Sequence, residues 1–214
     1  GYLITALIHA EMTTGRFSLT RFYERRVRRL FPALCAVLIF CAAVAAWLLL
    51  PHDLRYFGGS LTATTAFLSN VFFWLEAGYF DVAAESKPLL HTWSLAVEEQ
   101  FYLLFPLFLL LVLRYMPRRA VAVMAVVTVL SLISSEWAVR HTDSAAFYLA
   151  PFRAWELGVG ALLALGAVPT PRDTRISGTA AWLGLACIGG AAVGFSWQTR
   201  FPGLSALLPC LGTA

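Results

Sequence analysis

Charge is scarce in this chain. Of its 214 residues only 13% are charged, about half the roughly 25% carried by soluble domains. With 59% hydrophobic residues and a mean hydropathy of +0.72, a water-facing globular domain is excluded. Strict apolar/polar alternation is missing as well, which argues against a closed barrel and leaves helices as the way to satisfy the backbone in lipid. Paired cysteine spacing is absent. Cys35, Cys41, Cys187 and Cys210 each sit inside an apolar run and read as small lipid- or helix-facing residues, not as disulfides or metal ligands. No zinc spacing, P-loop or dinucleotide fingerprint is present, and there is no internal repeat. A net charge of +4 does not point to nucleic acid, because the arginines cluster at the ends of apolar runs, where the positive-inside rule places them. There is also no basic leader and no initiator Met before Gly-Tyr-Leu-Ile-Thr, and the chain closes inside another apolar run. Both ends are expected to be cut from something longer.

What is abundant is uncharged length. Residues 31–50, 101–113, 120–135, 176–199 and 201–214 contain no charged side chain. A span needs roughly 20 apolar residues to cross a hydrocarbon core of about 30 Å. The predicted fold is an all-α, polytopic transmembrane helix bundle with about six full spans, at 31–50, 91–113, 120–139, 153–168, 178–196 and from 204 onward. Residues 1–10 read as the tail of a helix. Residues 16–30 interleave Phe17, Leu19, Phe22 and Tyr23 with Arg21, Arg25, Arg26, Arg28 and Arg29, which predicts an amphipathic segment at the membrane interface. Residues 56–75 are uncharged but rich in Gly, Ser and Thr, and a polar loop with Asp81, Glu85 and Lys87 follows over 76–90. If 56–75 is a re-entrant segment, eleven Lys/Arg fall on the cytoplasmic side and five outside; if it crosses, the split is ten and six. The re-entrant arrangement is preferred, because irregular polar backbone is tolerated at membrane depth only where protein or water covers it.

Three stretches carry candidate chemistry. In Pro88–Tyr102, a helical period of about 100° per residue sets His91, Ser94, Glu98 and Tyr102 on one face, with Glu99 about 80° from His91. Lipid does not tolerate such a stripe, so it is expected to face the interior or a water-filled cavity. His91 and Glu98 are the candidate catalytic pair, able to relay a proton or hold a sugar hydroxyl; the carboxylates read equally as structural groups bonded to neighbouring helices. A Ser-His-Glu triad on one helix is poor geometry. In Phe22–Pro32, Arg26 and Arg29 share a face, as do Arg25 and Arg28. Paired guanidinium groups suit a phosphate-rich ligand, and composition alone also fits anchors that touch anionic lipid. In Arg153–Gly160, Arg153 and Glu156 are spaced for a structural ion pair, and Gly158, Gly160 and Gly166 for close helix approach. Glu136 and Arg140 form a similar pair. His9, His52 and His141 read as interfacial.

These stretches, with Gly-Tyr-Leu-Ile-Thr at 1–5, Ser-Asn at 69–70 and Gly-Tyr-Phe-Asp at 78–81, resemble in order the bacterial membrane acyltransferase family that includes O-antigen and peptidoglycan O-acetyltransferases. The resemblance implies a multi-pass protein of the bacterial inner (cytoplasmic) membrane and makes 1–214 a partial acyltransferase domain. It implies an acyl group, acetyl above all, moved from cytoplasmic acetyl-CoA or another acyl-CoA to a hydroxyl of an extracytoplasmic glycan, with no metal. Arg26 and Arg29 match the family's Arg-x-x-Arg and become the expected donor-binding residues. Expected partners are membrane lipid, acyl-CoA, the glycan acceptor and a fused extracytoplasmic esterase-like domain of the SGNH type. The family's essential histidine lies in a first transmembrane helix that has no counterpart here, so the chain by itself is expected to be inactive. The rival reading is a proton-coupled transporter or flippase for a glycan or lipid; paired halves with broken helices, common in transporters, are not visible. A non-catalytic scaffold is a third.

Overall fold

The computed structural model describes residues 1–77, 87–168, 173–196 and 198–214. The 78–81 motif, Asp81, Glu85 and Arg172 lie outside the described residues. The described residues form helices α1 (Tyr2–Thr13), α2 (Leu19–Leu48), α3 (Pro51–Thr65), α4 (Ser69–Glu76), α5 (Thr92–Tyr115), α6 (Ala120–His141), α7 (Asp143–Tyr148), α8 (Ala150–Ala164), α9 (Thr174–Gly194) and α10 (Leu207–Thr213), with no strand among them.

Among the described residues, four helices are long and apolar enough to cross a membrane: Leu19–Leu48, Thr92–Tyr115, Pro117–His141 (α6 with the 3₁₀ turn before it) and Ser177–Gly194. They make this a multi-pass membrane architecture and match four of the expected spans. The other two expected spans are shorter helices. The one placed over 153–168 is α8, which has 15 residues, about 22 Å at 1.5 Å per residue. Gly166 stops it: at φ +76° it takes the left-handed position of a Schellman end, with Ala167 N–H donating to Leu162 O and Gly166 N–H to Leu163 O, both at 3.0 Å. The apolar run continues past this turn, which is why composition overstates the helix. From 204 onward there is a 3₁₀ turn and the 7-residue α10.

The arginine-rich segment is not separate from the span that follows it. Ser18 caps a single 30-residue helix, α2, that runs through Pro32 without a break. At about 45 Å it exceeds the hydrocarbon thickness, so its charged first third extends the span instead of lying flat beside it.

Residues 56–75 fold as a helical hairpin. α3 has 15 residues and α4 has 8, neither enough for the roughly 30 Å core. α4 turns back on α3, with the Phe72 ring 5.4 Å from that of Tyr56 and in contact range of the Gly59 position. The turn is another Schellman end: Leu68 N–H donates to Ala63 O at 2.8 Å and Phe67 N–H to Thr64 O at 3.1 Å. Here the left-handed position is held by Phe67, at φ +54°, which costs about 1–2 kcal/mol relative to Gly.

α5 is the central helix, buried at Ala96, Val97, Phe105, Leu109 and Val112. One core cluster joins it to α1, α2, α6 and α8 through Ile8, Phe22, Met124 and Ala161. A second joins α2, α3 and α4 through Leu34, Leu38, Phe57 and Phe73, with Leu89. α8 packs closely on α6 and on α1: a Cβ at Gly158 would collide with the Thr128 hydroxyl of α6, and one at Gly160 would lie 2.7 Å from Tyr2 N of α1. Gly158 and Gly160 are therefore packing glycines, as expected. Gly166 is not; nothing lies within 4 Å of its Cβ position, and its role is the turn.

Candidate active-site cleft

α2 and α5 run antiparallel. The Tyr23 hydroxyl donates to Leu103 O at 2.7 Å, and one turn along α2 Arg26 pairs with the Glu99 carboxylate. Phe22, 2% exposed in the core, fixes this face of α2 inward. Glu99 and Tyr102 lie three apart on α5 and therefore share a face, so both reach Arg26. The guanidinium carbon sits 3.8 Å from the centre of the Tyr102 ring, a cation–π stack. The pair is largely shielded, with 22% of the Arg26 and 13% of the Glu99 side chain exposed. The Nε of Arg26 is buried with no hydrogen-bond partner. Beside it opens a cleft of about 400 Å³, lined by Arg26, Glu99 and Tyr102 and by Phe31, Phe67 and Leu68. In such low-dielectric surroundings charge interactions are several-fold stronger than in water. An anionic ligand entering the cleft would meet a guanidinium with a spare N–H and a carboxylate it must displace.

The remaining arginines of α2 face outward. Arg25 pairs with Glu11 of α1 at 2.9 Å and Arg28 with Glu24 at 2.7 Å. Arg29 is exposed and has no ion pair among the described residues. Arg26 and Arg29 thus share one helix but not one environment: the first is held inside and the second is free to meet a ligand.

His91 is the residue before α5, in the N-cap position, and it is exposed, as are Ser94 and Glu98. The stripe expected to face the interior therefore looks outward among the described residues. Its fourth member, Tyr102, is half-buried under Arg26, and Glu99, on the neighbouring face, is the carboxylate that the fold turns inward. The reason is the core face of α5: burying Ala96, Val97, Phe105 and Leu109 rotates Glu99 toward α2 and Glu98 away from it.

Asn70 and Gln100, which the sequence shows only as members of two resembling motifs with no role assigned, carry a network. The Gln100 amide nitrogen donates to Phe67 O at 2.9 Å and to Asn70 Oδ1 at 2.8 Å. The Asn70 amide nitrogen donates to Gln100 Oε1 at 3.3 Å and to Tyr148 O at 3.1 Å. Around it lies a buried polar seam: Ser69 donates to Thr92 O at 2.9 Å, and the Thr64 and Thr92 hydroxyls lie 3.0 Å apart. The available signal was the amide side chains themselves, Asn70 in the uncharged stretch 56–75 and Gln100 just after Glu98 and Glu99, since buried polar groups must find partners.

Arg153 and Glu156 pair at 3.0 Å, with the guanidinium 5.0 Å from the Trp93 ring and 5.7 Å from that of Phe147, which fits the structural reading. Glu136 accepts from Arg140 at 2.6 Å and from Leu204 N–H at 2.9 Å, tying α6 to the segment before α10. Among the described residues, no group of three or more His, Cys, Asp or Glu could hold a metal ion.

Comparison with known proteins agrees with this architecture. The model of the acyltransferase domain family matches residues 1–214. An uncharacterized protein of Haemophilus influenzae is 33% identical over 228 aligned residues, covering all of this chain and 92% of that protein. The peptidoglycan O-acetyltransferase OatA of Listeria monocytogenes is 34% identical over 171 residues, 77% of this chain and 27% of OatA. The putative membrane-bound transacylase BcsY of Komagataeibacter xylinus is 30% identical over 194 residues, 87% of this chain and 49% of BcsY. The chain thus spans about a quarter and about half of these two named relatives. No solved structure matches it. A multi-pass bundle matched from end to end by that model belongs to the acyltransferase domain family, whose members are enzymes that transfer acyl groups.

Proposed function

We propose that this chain is the membrane core of an O-acyltransferase that moves an acetyl group from cytoplasmic acetyl-CoA to a hydroxyl of an extracytoplasmic glycan, such as O-antigen or another cell-surface polysaccharide, in the bacterial inner membrane. The observation that carries the reading is Arg26, shielded at the cleft between α2 and α5, with an unpartnered Nε and a carboxylate for a counter-ion. A cation held this way is a poor lipid anchor and a good site for a phosphate, which the guanidinium grips with charge-assisted hydrogen bonds. Arg26 and the exposed Arg29 bind the donor's phosphates. Donor phosphate takes the place of Glu99 at Arg26, while the Tyr102 ring keeps the guanidinium oriented.

In the reaction the acceptor hydroxyl oxygen bonds to the thioester carbonyl carbon, the C–S bond breaks, the hydroxyl proton passes to a base, and the coenzyme A thiolate leaves and is protonated. Glu98 and His91 line the acceptor side, where a carboxylate and an imidazole orient the hydroxyl and help to move its proton. Agreement with OatA, a peptidoglycan O-acetyltransferase by name, supports a glycan acceptor.

The test is ester-linked acetate on cell-surface glycan in cells carrying the full-length protein, the same protein with Arg26→Ala and Arg29→Ala at equal membrane level, or no protein. Acetate that appears only with the unaltered protein is the expected result. Equal acetate in all three strains would overturn the proposal and bring the transporter reading forward.

A further inference from the structure

We infer that Asn70 and Gln100 form a positioning couple that holds the Phe67 turn as one wall of the Arg26 cleft; the inference rests on the acyltransferase reading of that cleft. The two amides satisfy each other and two backbone carbonyls, with Gln100 donating to Phe67 O and Asn70 to Tyr148 O. Both carbonyls only accept, so each amide must turn its NH₂ toward its own carbonyl, and the remaining N–H and C=O groups are then in register for each other. The orientation of both side chains is fixed by this closed set. Asn70 is 0% exposed, and Gln100 is half-buried at the edge of the cleft, which it also lines.

The couple acts on an unusual turn. Three helices in the described chain end in the same left-handed geometry. Gly15 and Gly166 hold the position in α1 and α8, and Phe67 holds it in α3. Glycine takes this conformation without strain, whereas a side chain does not. A side chain persists there only when its surroundings over-determine it. Phe67 has such surroundings: Gln100 grips its carbonyl, and its ring packs against Phe31 of α2 at 6.1 Å. Phe31, Phe67 and Leu68 then line the cleft together with Arg26. The same turn is tied through Asn70 to Tyr148, the last residue of α7, whose ring meets Trp93 at 5.6 Å. One amide couple thus sets the distance from α5 to the hairpin on one side and to the α7–α8 junction on the other.

If the couple works by holding Phe67 left-handed, glycine at 67 should partly replace it. The experiment uses the full-length protein in lipid vesicles with acetyl-CoA as donor, comparing the unaltered protein, Gln100→Ala, Gln100→Glu, Phe67→Gly and Phe67→Gly with Gln100→Ala. Acetyl transfer and hydrogen exchange across residues 64–72 are read together. Gln100→Ala is expected to lower transfer about 100-fold, the scale of a misplacement near 1 Å, and to speed exchange at the turn. Gln100→Glu, of nearly the same size, should do the same, because its carboxylate faces the Phe67 carbonyl. Phe67→Gly also removes a ring that lines the cleft, so the double variant is read against Phe67→Gly alone: with glycine at 67, Gln100→Ala should cost about ten-fold less transfer than it does behind phenylalanine. An equal cost of Gln100→Ala in the two backgrounds, or Gln100→Glu with full transfer, would overturn the inference. If the unaltered protein transfers no acetyl, the acyltransferase reading fails separately, and the exchange data alone decide the couple: faster exchange in both Gln100 variants keeps it, unchanged exchange removes it.

Discussion

Glu98 and Glu99 are adjacent in sequence and opposite in circumstance. Glu99 is turned into the bundle, where Arg26 neutralises it. Glu98, one residue and about 100° away, is exposed on the same outward side as His91 and Ser94. A carboxylate in the first environment is costly to remove while no other anion meets Arg26, because leaving its partner uncompensated costs several kcal/mol. A carboxylate in the second costs little to change and is available to whatever meets that side of α5. The comparison separates stability from chemistry: the inward residue should report on folding and donor binding, the outward one on transfer alone.

The largest effect should come from the inward side. Glu99→Gln leaves the shielded Arg26 charge unpaired and is expected to destabilise the protein by about 3 kcal/mol, read as a lowered thermal midpoint in detergent or vesicles. Gly166→Ala should follow, at about 1 kcal/mol, because alanine is strained at φ +76°; it tests whether α8 stops at this turn. The smallest effect on stability should come from the outward side. Glu98→Gln and His91→Ala are each expected within about 0.5 kcal/mol of the unaltered protein, yet each should lower glycan acetylation at matched membrane levels. Full acetylation in both variants would remove them from the acceptor side. A stability loss at Glu98 as large as that at Glu99 would erase the distinction between the two faces.

Much of the fold was legible in the sequence because membrane spans are written in composition. The charge-free runs at 101–113 and 120–135 lie within two of the four long helices, and those at 31–50 and 176–199 overlap the other two. The hairpin at 56–75 was legible as an irregular segment from its Gly, Ser and Thr content. Helix ends were harder, since the apolar run through Gly166 does not reveal that a single left-handed residue stops α8. The continuity of α2 through Pro32 was also hidden, because charge and apolarity change there while the backbone does not. At the site, helical spacing gives the angle between Glu98 and Glu99 but not which of them faces the neighbours; only the packing of Ala96, Val97 and Phe105 decides that. The Asn70–Gln100 couple joins residues thirty positions apart, and no local pattern pairs them. Arg26 was legible as a candidate, but its counter-ion, 73 positions away, was not.

The most direct test of the central claim is acetyl-CoA binding by the full-length protein in lipid nanodiscs, comparing unaltered protein with Arg26→Lys and Arg26→Ala. Lysine keeps the charge but loses the planar fork and its Nε donor. Binding is expected to weaken about ten-fold for lysine and about a hundred-fold for alanine, the scale of one and two charge-assisted hydrogen bonds. Equal binding by all three, with each protein folded and membrane-inserted, would contradict the assignment of Arg26 to the donor and leave its pair with Glu99 as architecture alone.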